Sequence, residues 1–312
     1  MRKPLVRTDA ACDSRAMTDP QTARRAHYAT FYGDLPAAGY GVVVGNCQAE
    51  SVRLVLDSDE LPLLRMPPVH ELDAADAARL HEVLAGASVL IAQQVKADYH
   101  GLPLGTRQLA ASLPPSGRAV TFPVVRFTGL YPFQAALHVP GTEEVPPIVA
   151  YHDVRTLAEA AGTPARSELS ADAVRAEAAD SLAELERREQ SLDVSISDLF
   201  AEPRFELVRT VNHPGNEVIL EIGDRVLRAL GRPGTATDPG RPLLDVVHAP
   251  REPWVIDAWG LDAEPRTGWT LNALPLDPAE VREAHLEWYR QHPDFVRGAL
   301  ERLRPSIERW RR

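Results

Sequence analysis

Three consecutive valines, Val42, Val43 and Val44, end at Gly45 and give way at once to Asn46, Cys47 and Gln48. A β-branched run bounded by glycine predicts a short strand buried on both faces. The segment that follows carries Val52, Leu54, Val55 and Leu56 among polar residues and predicts a helix, so Cys47 sits at a strand-to-helix elbow. On the carboxyl edge of an open α/β sheet, helix N-termini point backbone N–H groups at ligands. A cysteine held there can have a depressed pKa and act as a nucleophile, because the thiolate is the reactive species. The competing reading is a small buried residue that helps the strand pack.

The alternation continues. "LPLLRMPPVHEL" predicts a second strand, "DAADAARLHEVLAGA" a helix with Asp73 as cap and Gly86 near its end, and Ser88 to Val95 a third strand. A short helix is expected over Arg107 to Leu113, and "RAVTFPVVRF" reads as a fourth strand cut by Pro123. This β-α-β-α order predicts an α/β protein with a parallel sheet flanked by helices. The expected organisation is a flexible arm over 1–34, an α/β catalytic domain over 35–240 with a helical excursion near 168–190, and a mainly helical extension over 241–312 packed on the core. Ile219, Ile222, Val226 and Leu230 share one helical face before Gly231. Arg232 to Leu276 reads as mostly irregular, and the next helix opens at Asp277-Pro278 with Glu280 closing a capping box.

Composition narrows the function classes. A formal net charge of −10 over 312 residues argues against a general nucleic-acid binder but leaves room for a local basic pocket. Two cysteines, Cys12 and Cys47, make no disulfide framework, and a reducing cytoplasm is the simplest compartment. No apolar run approaches the roughly 18 residues that a membrane span requires. Dinucleotide, P-loop, H-E-x-x-H and C-x-x-C motifs are missing, so no metal is expected.

What remains is a constellation at strand ends: Cys47 after the first strand, Gln93 and Gln94 after the third, and His213 in Asn-His-Pro-Gly before a late helix. A Cys-His pair with amide donors is equipment for acyl transfer, in which the base deprotonates the thiol and the amides steady an oxyanion. Gln48 joins this catalytic set from the elbow itself. Each member also has a structural reading: His213 can cap its helix, the amides can bond loop backbone, and His70, His100 and His152 read as surface or supporting residues.

"VVVGNCQAE", "LIAQQVKADYHGLPLGT", "TFPVVRFTGLYP" and "VNHPGNEVI" together resemble the WcbI-type polysaccharide biosynthesis acetyltransferases, over roughly Gly41 to Gly231. The resemblance implies an SGNH-hydrolase-like three-layer sandwich with extra C-terminal helices, coenzyme A or acetyl-CoA as cosubstrate, and transfer of an acyl group to a sugar or glycan-like hydroxyl. It places Cys47 as nucleophile and the Gln93-Gln94 pair as oxyanion donors. Asn46, Tyr99, Thr106, Arg107 and Arg126 are the candidate cofactor-binding residues. The Asp-x-x-His expected near the C-terminus of that fold is read as missing, so His213 is inferred from Asn-His-Pro and Asp153 is the candidate third triad member. The alternatives are a cysteine-dependent thioesterase or esterase and a non-catalytic coenzyme A- or glycan-binding protein. The acceptor and the oligomeric state stay open.

Overall fold

The computed structural model describes residues 19–37, 39–142, 144–163 and 166–310. The elements that position the site run in chain order as α1 (Pro20–His27), α2 (Ala29–Tyr32), β1 (Gly41–Val44), α3 (Cys47–Leu56), β2 (Leu63–Leu64), α4 (Ala74–Gly86), β3 (Val89–Gln93), α5 (Thr106–Ala110) and β4 (Arg118–Phe122). Then come β5 (Gln134–Ala135), β6 (His152–Asp153), α6 (Val154–Ala160), α7 (Ala171–Glu189), β7 (Val208–Thr210), β8 (His213–Pro214), α8 (Asn216–Leu230), β9 (Val247–His248), α9 (Pro253–Trp259), β10 (Thr270–Leu271), β11 (Leu274–Pro275), α10 (Pro278–Gln291) and α11 (Pro293–Trp310).

The first four strands form one parallel sheet in the order β2-β1-β3-β4. Because side chains alternate across a strand, the sheet feeds two cores. Val43, Val89, Ile91, Val120 and Phe122 join Val52 and Val55 of α3 and Ile219, Ile222 and Val226 of α8. Val42, Val44, Leu90 and Ala92 join Leu80, Val83 and Leu84 of α4 on the other side. The result is a mixed α/β architecture with helices on both faces of the sheet. Asp73 caps α4 in a capping box closed by Asp76, and α8 ends on Gly231 at φ +67°.

Three expectations change. The arm is helical from Pro20: Arg24 pairs with Asp76 of α4 at 2.9 Å and Phe31 is buried in the second core, while residues 1–18 lie outside the described residues. The segment from Arg232 to Leu276 holds α9 and the small antiparallel sheet β11-β10-β9, whose apolar residues are too few and too dispersed to give a periodic signal. Asp277 caps α10 through Ala279 N–H at 2.9 Å, without the reciprocal bond from Glu280. Val247, Trp269 and Trp310 from the C-terminal extension share the larger core with Val43 of the sheet, so the extension is continuous with the α/β body.

Candidate functional site

β1 ends at Val44, and Asn46 turns the chain by capping α3, its Oδ1 accepting from Gln48 N–H at 2.9 Å. Cys47 is therefore the first residue of α3, on the carboxyl edge of the sheet. Gly45 is required by close approach, since a Cβ there would stand 2.3 Å from Gln93 Oε1 and 2.9 Å from Ala49 Cβ. The half-buried thiol opens into a cavity of about 310 Å³ lined also by Asn46, Arg65, Arg241, Leu243 and Leu244. Leu244 holds φ +51°, a backbone conformation uncommon for a branched residue.

Two of the predicted amides are hydrogen-bonded into the elbow. Gln48 is buried and uses all its capacity: Nε2 donates to Val125 O at 2.9 Å and Asn212 O at 2.8 Å, while Oε1 accepts from Val125 N–H at 2.9 Å and Gln93 Nε2 at 3.2 Å. Gln93, also buried, accepts from Asn46 N–H at 2.9 Å and gives one Nε2 N–H to Gln48, so Gln48 has no N–H left for an oxyanion and Gln93 keeps one. Gln94 is exposed and donates to Ser191 Oγ at 3.3 Å. It lines a different cavity of about 540 Å³ with Lys96, Thr106 and Arg107. Thr106 there is spent on Gln93 O and Val95 N–H at 2.9 and 2.8 Å, whereas Arg107 is exposed. Tyr99 packs edge-on to His100 and lines neither cavity. Arg126 is exposed, donates to Ala136 O at 2.8 Å, and lies in the fields of Arg188 and Tyr151.

His213 reaches the same region through β8. Asn212, its neighbour, takes the bond from Gln48 and also accepts from Tyr151 Oη at 2.8 Å. Tyr151 accepts in turn from Thr210 Oγ1 at 2.9 Å, presents its ring edge-on to His213 at 5.9 Å and stacks on Trp269 at 5.1 Å. Burial raises the Tyr151 pKa to about 12, with a smaller contribution from Cys47 once both ionise, which places phenol and thiol in one neighbourhood. Sequence reasoning missed Tyr151 because its role depends on partners 59 and 61 residues away.

The electrostatics favours a neutral thiol. Burial pushes the Cys47 thiol up, and the N–H groups of Gln48 and Cys47 itself only partly offset it. His213 is pushed down to about 4 by burial, then by Arg209 and His248. Its Nδ1 is buried without a partner, and at neutral pH both the thiol and the imidazole are neutral.

Asp153 is not the third member of a triad with His213. Its carboxylate caps α6, is held by Arg155 at 2.6 Å and accepts from Gln134 at 3.2 Å. A histidine-carboxylate pair does stand beside His213: His248 Nε2 meets Asp245 Oδ1 at 2.9 Å, and Arg209 Nε donates to the same oxygen at 2.9 Å. This is an Asp-x-x-His, Asp245-Val246-Val247-His248, which corrects the expectation that the chain lacks one toward its C-terminus. Burial lowers the His248 pKa despite Asp245. Among the described residues no cluster of histidine, cysteine and carboxylate side chains could hold a metal ion.

The comparisons with known proteins agree with this frame. A search of curated proteins gives no match. Among solved structures, the chain resembles one described as "WcbI, a novel polysaccharide biosynthesis enzyme", in its native form without a disulfide bond between coenzyme A and one of that protein's cysteines. The TM-score is 0.64 at 20% identity, covering 85% of this chain and 99% of the other, which is a likeness of fold. The family model "Polysaccharide biosynthesis enzyme WcbI" matches residues 40–235, the whole stretch from the sheet through Cys47 and His213 to the end of α8, and the chain therefore belongs to the WcbI family of polysaccharide biosynthesis enzymes.

Proposed function

We propose that the protein is an acyl-CoA-dependent O-acyltransferase, with acetyl as the transferred group and a sugar or glycan-like hydroxyl as acceptor, on a fold of SGNH-hydrolase type. The observation that carries this reading is the Cys47 thiol at the start of α3, open to a cavity and locked by the Gln48-Gln93 lattice to the strand carrying His213. The family membership and the description of the WcbI structure with coenzyme A support the donor.

The residues fit such a donor in two ways. Its sulfur end would meet the Cys47 thiol, and its phosphates need guanidinium groups, of which Arg241 lines the Cys47 cavity and Arg126 acts on the neighbouring Tyr151. His213, neutral at pH 7, has a ring nitrogen able to take a proton from the acceptor hydroxyl or from the thiol. The neutral thiol favours concerted deprotonation over a resting thiolate-imidazolium pair. Incubation with acetyl-CoA, with and without candidate sugars, tests the reading. Sugar-dependent release of coenzyme A is expected; equally fast release without sugar would make the protein a thioesterase. Calorimetry showing no coenzyme A binding at millimolar concentration would remove both.

A further inference from the structure

Beside His213 lies a concentration of positive charge that the proposed chemistry does not use. Arg251 and Arg266 face each other across an antiparallel bridge, with Arg251 N–H donating to Arg266 O at 2.8 Å and the reverse bond at 3.0 Å. Like charges directly opposite on paired strands repel. Each of the two Nε atoms is buried without a hydrogen-bond partner. Arg266 donates to Ala249 O, and the Arg251 guanidinium lies 4.6 Å from the Phe205 ring centre.

Carboxylates do not neutralise this pair. Glu252, next to Arg251 in sequence, is taken by Arg155 at 2.7 Å, and Asp245 is shared by Arg209 and His248. No Asp or Glu among the described residues forms an ion pair with Arg251 or Arg266. Three guanidiniums (Arg209, Arg251, Arg266) against one carboxylate (Asp245) leave two positive charges uncompensated in a chain of net charge −10. The neighbouring cation also helps burial hold the Arg266 pKa down, as expected of a site whose counter-charge comes from outside. Arg209 and His248 in turn act on His213, so the cluster adjoins the candidate base.

We infer that Arg251 and Arg266, flanked by Arg209 and His248, form a receptor for a dianionic phosphate group carried by one of the substrates. Two forked guanidiniums offer the donors and the charge that a phosphate dianion needs. Both arginines lie beyond the matched family segment, so the receptor belongs to the C-terminal extension. That it adjoins a transfer site rests on the function proposed above; that it binds phosphate does not.

The test titrates inorganic phosphate into the full chain in low-salt buffer and follows heat and Tm, with Arg251→Gln, the Arg251→Gln/Arg266→Gln double variant, and Arg297→Gln on α11 as control. Saturable binding is expected for wild type and the control, at least tenfold weaker for Arg251→Gln and undetectable for the double variant. Should a variant not fold, phosphate protection of Arg251 and Arg266 from phenylglyoxal, read by mass spectrometry on wild type, takes its place. No saturable binding, binding unchanged in the variants, or no protection overturns the receptor. Coenzyme A, pantetheine and a nucleoside diphosphate then identify the source. Weakened coenzyme A binding with pantetheine unaffected assigns the phosphate to the donor, and weakened nucleoside diphosphate binding assigns it to an activated acceptor.

Discussion

Gln48 Nε2 donates to the carbonyl of Asn212 at 2.8 Å across 164 residues of sequence, and this bond ties the helix that carries Cys47 to the strand that carries His213. The same amide holds Val125 at both its N–H and its carbonyl. Gln48→Leu leaves several buried groups without partners, at about 1–3 kcal/mol each where no water reaches them. The expected result is a loss of about 2–4 kcal/mol in urea denaturation together with most of the transfer activity. Gly45→Ala strikes the same lattice by pushing Gln93 away from Asn46, and should lower Tm and activity in parallel.

The raised pKa of Cys47 makes a prediction about reactivity. Alkylation by iodoacetamide should rise steeply through pH 9 with no plateau near neutrality. A rate that is flat between pH 6 and 8 would show a stabilised thiolate and reverse the electrostatic argument.

Covalent and direct transfer separate by substitution. If Cys47 carries the acyl group, Cys47→Ala abolishes transfer while coenzyme A still binds. A variant that retains more than about a tenth of the wild-type rate, ~1.4 kcal/mol in barrier, rules out the covalent route. His213→Ala should cost about 10²- to 10⁴-fold on either route. Asp245→Asn and His248→Ala test the other histidine-carboxylate pair: if either matches the loss of His213→Ala, the base is His248.

Two histidines set an acid limit on stability. His213 is pushed down to about 4 and His152, buried against Tyr289 and Phe295, to about 3, from an ordinary value of 6.5. Below pH 6.5 the unfolded chain binds protons that the folded chain refuses, so stability falls as pH drops from 6.5 toward 4 and is level above 6.5 with respect to these groups. Denaturation midpoints should show this slope, and His213→Asn should remove about one proton of it.

Asp153 supports structure by joining Arg155 to Gln134 at the start of α6. Asp153→Asn should lower stability by about 1–3 kcal/mol, since Arg155 loses a partly buried partner, yet leave the pH profile of transfer unchanged. A displaced profile would return Asp153 to the catalytic set.

The β-α alternation, the elbow at Gly45-Asn46-Cys47, the Asp73 cap and the buried face of α8 are legible in the order of residues, because each is encoded within one or two turns of chain by periodicity, a cap or a glycine. Asp245-x-x-His248 is equally local, and the expectation that the chain lacks such a motif was wrong. Folding brings together what the order of residues does not record: Gln93 and Gln48 bond each other and distant backbone, Gln94, Thr106 and Arg107 line a different cavity from Cys47, and Arg251 meets Arg266. The physical reason is that an amide's availability and a thiol's pKa depend on what is packed opposite them. At Cys47 burial outweighs the helix N–H groups, a balance between desolvation and hydrogen bonding that no local run of residues records.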